Sequence, residues 1–192
     1  MDTPFSLCVT GSNTEALLEQ DSAIPSWDIP AVVEVCADDS AVGSVIEIGS
    51  QGARFITDLQ SRAPQFQSTN TARAVQVQFF EDQMSPRRLQ TRRLFFTGRA
   101  GTESSPRLSG RCAVFAKTDI IHRQQEGAAT PDILLGLCYA MIRNYKATIV
   151  RRLPVCKPVV FCGGVTCNTG VIRAIREVFG LTEEELIVPE EA

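Results

Sequence analysis

Long apolar runs, an excess of one charge and clustered histidines are all missing from this 192-residue chain. No stretch approaches the roughly 20 apolar residues that cross a bilayer, so no membrane partner is expected. The opening MDTPFSLCVTG has no basic segment ahead of its apolar stretch and does not read as a secretory signal. Lys and Arg number 19 against 22 Asp and Glu, a net charge of −3, which excludes a globally basic nucleic-acid-binding protein. Aromatic residues make up only 7% of the chain, too few to stack bases beside the basic run Arg87, Arg88, Arg92 and Arg93, which reads as a solvated charged stretch. A single histidine, His122, leaves no nucleophile–base site that draws on several imidazoles. Seven cysteines, an odd number with no CxxC pair, fit neither a secreted disulfide scaffold nor a zinc knuckle. Most are expected in the core as small hydrophobes, and the placement they imply is cytoplasmic.

What is present is ample core material: 44% of residues are hydrophobic, enough for one packed domain. The first part, 1–70, reads as strands and turns. Phe5–Val9 is a short apolar run, a helix capped at Asn13 or Thr14 follows to Glu19, and Ile29–Cys36 is strand-like. Val45–Ile48 and Ala53–Leu59 flank Gly49-Ser50-Gln51-Gly52 as a β-hairpin, with Gln65–Ser68 as a third strand. Between 71 and 107, the spacing of Val75, Phe79, Phe80 and Met84 predicts a helix over Thr71–Leu89, followed by a basic loop. The remainder, 108–192, is more regular. It contains a short helix over Asp119–Gln125, then an amphipathic helix from Pro131 to Arg143 or beyond with Thr130 as N-cap. A buried strand follows over Pro158–Cys162, then a helix from Asn168 or Thr169 to Phe179 stopped by Gly180, and a last strand over Leu186–Val188 that joins the same sheet in parallel.

Two segments have the residue types that chemistry needs. In VVFCGGVTCNTGV, Val159–Val171, a buried strand ends in Gly163-Gly164 and a helix starts at an Asn cap. Glycine lets a ligand approach the main chain, and an open helix N-terminus offers unpaired N–H groups to a polar or anionic group. A plain strand-to-helix turn explains the same spacing about equally well. In VIEIGSQGARFITDL, Val45–Leu59, the turn can donate N–H groups to phosphate oxygens while Glu47 at the strand end holds Mg²⁺ through water. An ordinary hairpin is the simpler account of that segment taken alone.

Taken together and in this order, the segments resemble the BadF/BadG/BcrA/BcrD-type ATPases, the activators of 2-hydroxyacyl-CoA dehydratases and benzoyl-CoA reductases. The family's DIGGQD motif corresponds to Glu47-Ile48-Gly49-Ser50-Gln51-Gly52, and its adenosine motif GGxxxNxGV is matched fully by Gly163 to Val171. Gly110–Tyr145 resembles the family's cysteine-helix-helix segment, and the opening CVTGSN its VTG turn. The resemblance implies an α/β fold of the actin/hexokinase/Hsp70 (ribonuclease H-like) type, with a mixed sheet and packed helices, here as one partial ATPase lobe. It implies ATP or ADP with Mg²⁺ as ligand. Gly163, Gly164 and Asn168 would hold adenosine, Gly49, Ser50 and Gln51 would approach the phosphates, and Glu47 and Gln51 would serve hydrolysis. It also implies a homodimer and a CoA-thioester dehydratase or reductase as partner.

The departures point the other way for turnover. The family's N-terminal GIDxGS phosphate hairpin has no counterpart here, and the second aspartate of DIGGQD is Gly52. Loss of a carboxylate that positions Mg²⁺ or water cuts hydrolysis. The resemblance implies a 4Fe–4S cluster held by two cysteines from each subunit. Cys112 stands at the second position, but Ala72 stands at the first. A symmetric dimer would then supply two thiolates where such a cluster ordinarily needs four. The expectation is an adenine-nucleotide-binding activator component with impaired catalysis, or else a non-catalytic module that keeps the fold as a dimerisation or partner-binding scaffold.

Overall fold

The computed structural model describes residues 42–49, 52–59, 61, 65–69, 105–109 and 113–189. The expected elements over Phe5–Val9, Asn13–Glu19, Ile29–Cys36 and Thr71–Leu89 lie outside them, as do Ser50, Gln51, Ala72 and Cys112. Five strands form one mixed sheet: β1 (Ser44–Ile48), β2 (Ala53–Thr57), β3 (Gln65–Thr69), β4 (Val159–Cys162) and β5 (Leu186–Ile187). Their order is β3-β2-β1-β4-β5. The first three strands form an antiparallel meander, while β4 lies parallel to both β1 and β5. The helices are α1 (Ala113–Gln125), α2 (Thr130–Tyr145) and α3 (Thr169–Phe179). They supply the crossovers that parallel strands need.

Alternation along the strands sorts side chains to two faces. Ile46, Ile48, Phe55, Val159 and Phe161 pack in one large cluster with α2 and α3, while Val45, Ile56 and Val160 form a smaller cluster with Val42 on the other face. Each of the large side chains contributes roughly 1.5–3 kcal/mol by leaving water, which makes β1 and β4 the best anchored part of the sheet. In α3, Val171, Ala174 and Ile175 face inward, with Val178 packed against the same cluster. Gly180 ends the helix at φ 67°, a left-handed conformation that suits a residue without Cβ. α2 is buried along Ile133–Ile142, too evenly for a surface helix, because it packs against both α3 and α1 and its side chains join the main cluster.

Three features differ from the sequence-based expectation. α1 starts at Ala113 rather than Asp119, since no breaker interrupts AVFAK ahead of it. The N-cap of α2 is Ala129, without a side-chain cap bond, and Thr130 is the first helical residue. Pro131 then contributes no N–H at a position where one would be unpaired, which lowers the need for a cap. α2 also runs on past Arg143 and widens into a π-helical turn over Lys146–Val150, closed by Arg151 N–H donating to the Lys146 carbonyl at 2.8 Å. Only Cys138 of the four described cysteines is buried; Cys156 and Cys162 are half-buried and Cys167 is exposed. Among the described residues, no helix is long and apolar enough to cross a membrane.

Candidate nucleotide site

The site lies at the carboxyl ends of β1 and β4, parallel neighbours in which Glu47 is in register with Cys162. The chain leaves β1 towards β2 and leaves β4 towards α3. Connections that diverge from adjacent parallel strands open a crevice at those ends. One wall is the hairpin turn bracketed by Gly49 and Gly52, with Gly49 N–H donating to the Gly52 carbonyl at 2.9 Å. Ser50 and Gln51, the tip of that turn, lie outside the described residues.

The other wall is the bend between β4 and α3. Gly163 has φ 103°, and a Cβ there would strike the Ile48 carbonyl. No side chain fits, so the end of β4 crosses the end of β1 backbone against backbone. Gly164, next along, is exposed, and a Cβ on it would meet nothing within 4 Å. The turn is closed by Thr166, whose N–H and hydroxyl both donate to the Gly163 carbonyl, at 3.0 and 2.9 Å. Asn168, 1% exposed, then caps α3, its Oδ1 accepting from Gly170 N–H at 3.0 Å and Val171 N–H at 3.2 Å. Its Nδ2 is buried with no hydrogen-bond partner among the described residues. A buried amide left with an unused donor costs free energy, and an acceptor on a ligand would recover it. Cys167 faces outward because its neighbour must turn inward to cap.

Glu47 and Gly49 stand beside this bend. The Glu47 carboxylate lies 3.8 Å from Arg54 Nε across the hairpin, with both side chains about a third exposed. Arg54 is a site residue that motif reading missed. A hairpin closed by Gly49 and Gly52 places 47 opposite 54, so register alone would have found it. Behind the site, the Tyr145 hydroxyl donates to the Arg54 carbonyl at 2.6 Å, and burial holds its pKa well above 10. Cys138 sits under the first turn of α3, and burial pushes its thiol up to about 12. It is a neutral packing group there and not a nucleophile.

The structure therefore brings together Glu47, Gly49, Gly163, Gly164 and Asn168. The features available to an adenine nucleotide are open space over Gly164, the N-terminus of α3 and the unused Asn168 donor. A magnesium ion would find one carboxylate, Glu47, which suffices when nucleotide phosphates and water complete its shell. Among the described residues no three His, Cys, Asp or Glu side chains come together, and the two positions that the resemblance assigns to cluster cysteines, Ala72 and Cys112, lie outside them.

Residues 34–187 match the profile of the BadF/BadG/BcrA/BcrD ATPase family. The chain is 34% identical over 84 residues to a 2-hydroxyisocaproyl-CoA dehydratase activator of Clostridioides difficile, covering 43% of this chain and 30% of that protein. It is 26% identical over 140 residues to the (R)-2-hydroxyglutaryl-CoA dehydratase activating ATPase of Acidaminococcus fermentans, covering 73% of this chain and 53% of that one. A solved structure of the Clostridium difficile 2-hydroxyisocaproyl-CoA dehydratase activator with bound ADPNP superposes with a TM-score of 0.60 at 25% identity, over 78% of this chain and 54% of the other. The chain thus spans from about a third to just over half the length of these relatives. The mixed sheet with its packed helices is the actin/hexokinase-like fold of such activators, as the sequence led one to expect.

Proposed function

The chain belongs to the BadF/BadG/BcrA/BcrD ATPase family, and from that premise we propose that it is an adenine-nucleotide-binding activator component with weak or no hydrolysis. Gly163 and Gly164 give adenosine a stretch of bare main chain, and Asn168 Nδ2 donates to it. Gly49, Ser50 and Gln51 approach the phosphates. Glu47 orients Mg²⁺ through water, and Gln51 positions the attacking water. The observation that carries this reading is the pairing of open space at Gly164 with the partnerless buried Nδ2 of Asn168. Two features argue for slow turnover. Gly52 offers no second carboxylate, and Arg54 draws on the charge of the first. In its cellular role the chain would act in the cytoplasm, as a homodimer, on a CoA-thioester dehydratase or reductase. With Ala72 at the first cluster position, a symmetric dimer would supply two of the four thiolates a 4Fe–4S cluster needs, so this chain would act through nucleotide binding and not through a cluster of its own.

A non-catalytic scaffold is the competing reading, favoured by Gly52 and Ala72. Calorimetric titration with ADP and with ATP plus Mg²⁺ separates the two. The activator reading expects saturable binding with dissociation constants between micromolar and millimolar, and phosphate release much slower than the ~1 s⁻¹ and faster turnover typical of enzymes. No heat at millimolar nucleotide leaves the scaffold.

A further inference from the structure

The nucleotide reading leaves unused a group of cations at the far end of α2. Asn168 caps the start of α3, and Glu177 and Val178 lie in its last turn, about 14 Å further along the helix axis. There a shallow, open groove of about 520 Å³ lies between α3 and the π-helical turn, lined by Tyr139, Arg143, Lys146, Arg151, Glu177 and Val178. That size is within the range of small-molecule sites. The cationic heads are held in place. Arg143 lies 5.3 Å over the Tyr139 ring and Lys146 lies 4.9 Å over the Phe179 ring. Lys146 Nζ also donates to the Val178 carbonyl at 2.7 Å, and Arg151 Nε donates to the Thr148 carbonyl at 2.8 Å. The one lining carboxylate, Glu177, is already engaged by the Tyr139 hydroxyl and by Arg173 at 3.0 Å, and these hydrogen bonds hold its pKa below the usual carboxylate range. Among the described residues no carboxylate pairs with Arg143, Lys146 or Arg151.

Cations at a helix C-terminus complement its dipole, and that accounts for their sign. It does not account for Arg151. This residue has φ 53° and closes a π-helical turn, at a place where a helix normally ends in glycine. A strained side-chain-bearing residue directed to a pocket of like charges marks a site with a use of its own. We propose that this pocket is a second binding site, for a small molecule bearing a phosphate or pyrophosphate group. The two guanidinium forks of Arg143 and Arg151 and the ammonium of Lys146 would surround its oxygens. The site is separate from the nucleotide crevice, and its occupancy does not depend on how that crevice is read.

Inorganic pyrophosphate is the probe, titrated into the full chain by calorimetry with and without saturating adenosine, which fills the crevice at Gly164 and carries no phosphate. Binding is expected in both arms. Arg151→Gly removes a phosphate ligand and suits the backbone at φ 53°, so it should keep or raise the melting temperature while weakening pyrophosphate about tenfold or more. Arg143→Gln should weaken it similarly, and neither variant should alter adenosine affinity. No binding to the unaltered chain at millimolar pyrophosphate would overturn the proposal. So would displacement by adenosine, or an unchanged affinity in Arg151→Gly. Tight binding of poly-glutamate that pyrophosphate does not compete away would make this a docking face for acidic protein and would likewise overturn it. The Arg151→Gly arm needs no adenosine binding, so failure of the nucleotide reading leaves this test intact.

Discussion

A methyl group added at Gly163 would strike the carbonyl of Ile48, whereas one added at Gly164 would meet nothing within 4 Å. Two adjacent glycines of one motif thus have different reasons to lack a side chain. At Gly163 the reason is the fold, since its φ of 103° is open only to glycine at low cost. At Gly164 the reason is the space itself. Gly163→Ala should destabilise the protein by about 2 kcal/mol or more in urea titration, because both backbone strain and a clash with main chain are imposed. Gly164→Val should leave the urea midpoint nearly unchanged. Their identity as a pair was legible from the sequence, but the division of labour was not. It depends on Ile48, more than a hundred residues away in the chain. Ser44, Thr57 and Pro154 show the same limit. The Ser44 hydroxyl lies 3.0 Å from that of Thr57, which donates to the Pro154 carbonyl at 2.7 Å, and Ser44 also accepts from Cys156 N–H at 2.8 Å. This buried network ties the loop before β4 to the hairpin and has no local signature.

Among the elements, α3 was the most legible. Its cap, its stop glycine and its apolar stripe are local signals, and all fall where expected. Its N-terminus combines two roles in Asn168 that substitution can separate. Serine is an equally good N-cap but lacks Nδ2. Asn168→Ser should therefore hold most of the stability while weakening nucleotide binding, whereas Asn168→Ala should cost about 1–2 kcal/mol of stability as well. Equal stability losses in the two variants, measured by urea titration, would contradict the division into cap and ligand donor. The π-helical turn after α2 was illegible for the opposite reason. The segment KATIV has no feature that selects bonds five residues apart over four. Packing selects them, with Tyr145, Ile149 and Val150 buried in the main cluster. The first half of α1 was missed because its residues form a helix without an N-terminal signal or a clear apolar stripe.

At the scale of the whole molecule, one sheet with two unequal apolar faces holds the crevice open at the ends of its two best buried strands. The buried titratable groups make that assembly sensitive to alkali. Burial raises Cys138 from 9.0 to about 12 and Tyr145 well above 10.0, so between those values the unfolded chain has released protons the folded chain still holds. Stability is then fully present below about pH 9 and falls as pH rises, by up to about 1.4 kcal/mol per pH unit for each group. Cys138→Ala and Tyr145→Phe should each flatten that slope in urea titrations run between about pH 8 and about pH 11. A slope unaltered by either variant would mean that these groups ionise as freely in the folded chain as in the unfolded one. The central claim, however, is that the crevice over Gly164 receives adenosine, and the most direct measurement is calorimetric titration of ADP into the unaltered chain and into Gly164→Val. The account predicts saturable binding to the first and a loss of about tenfold or more in the second, at unchanged melting temperature. Equal binding to both proteins would contradict it.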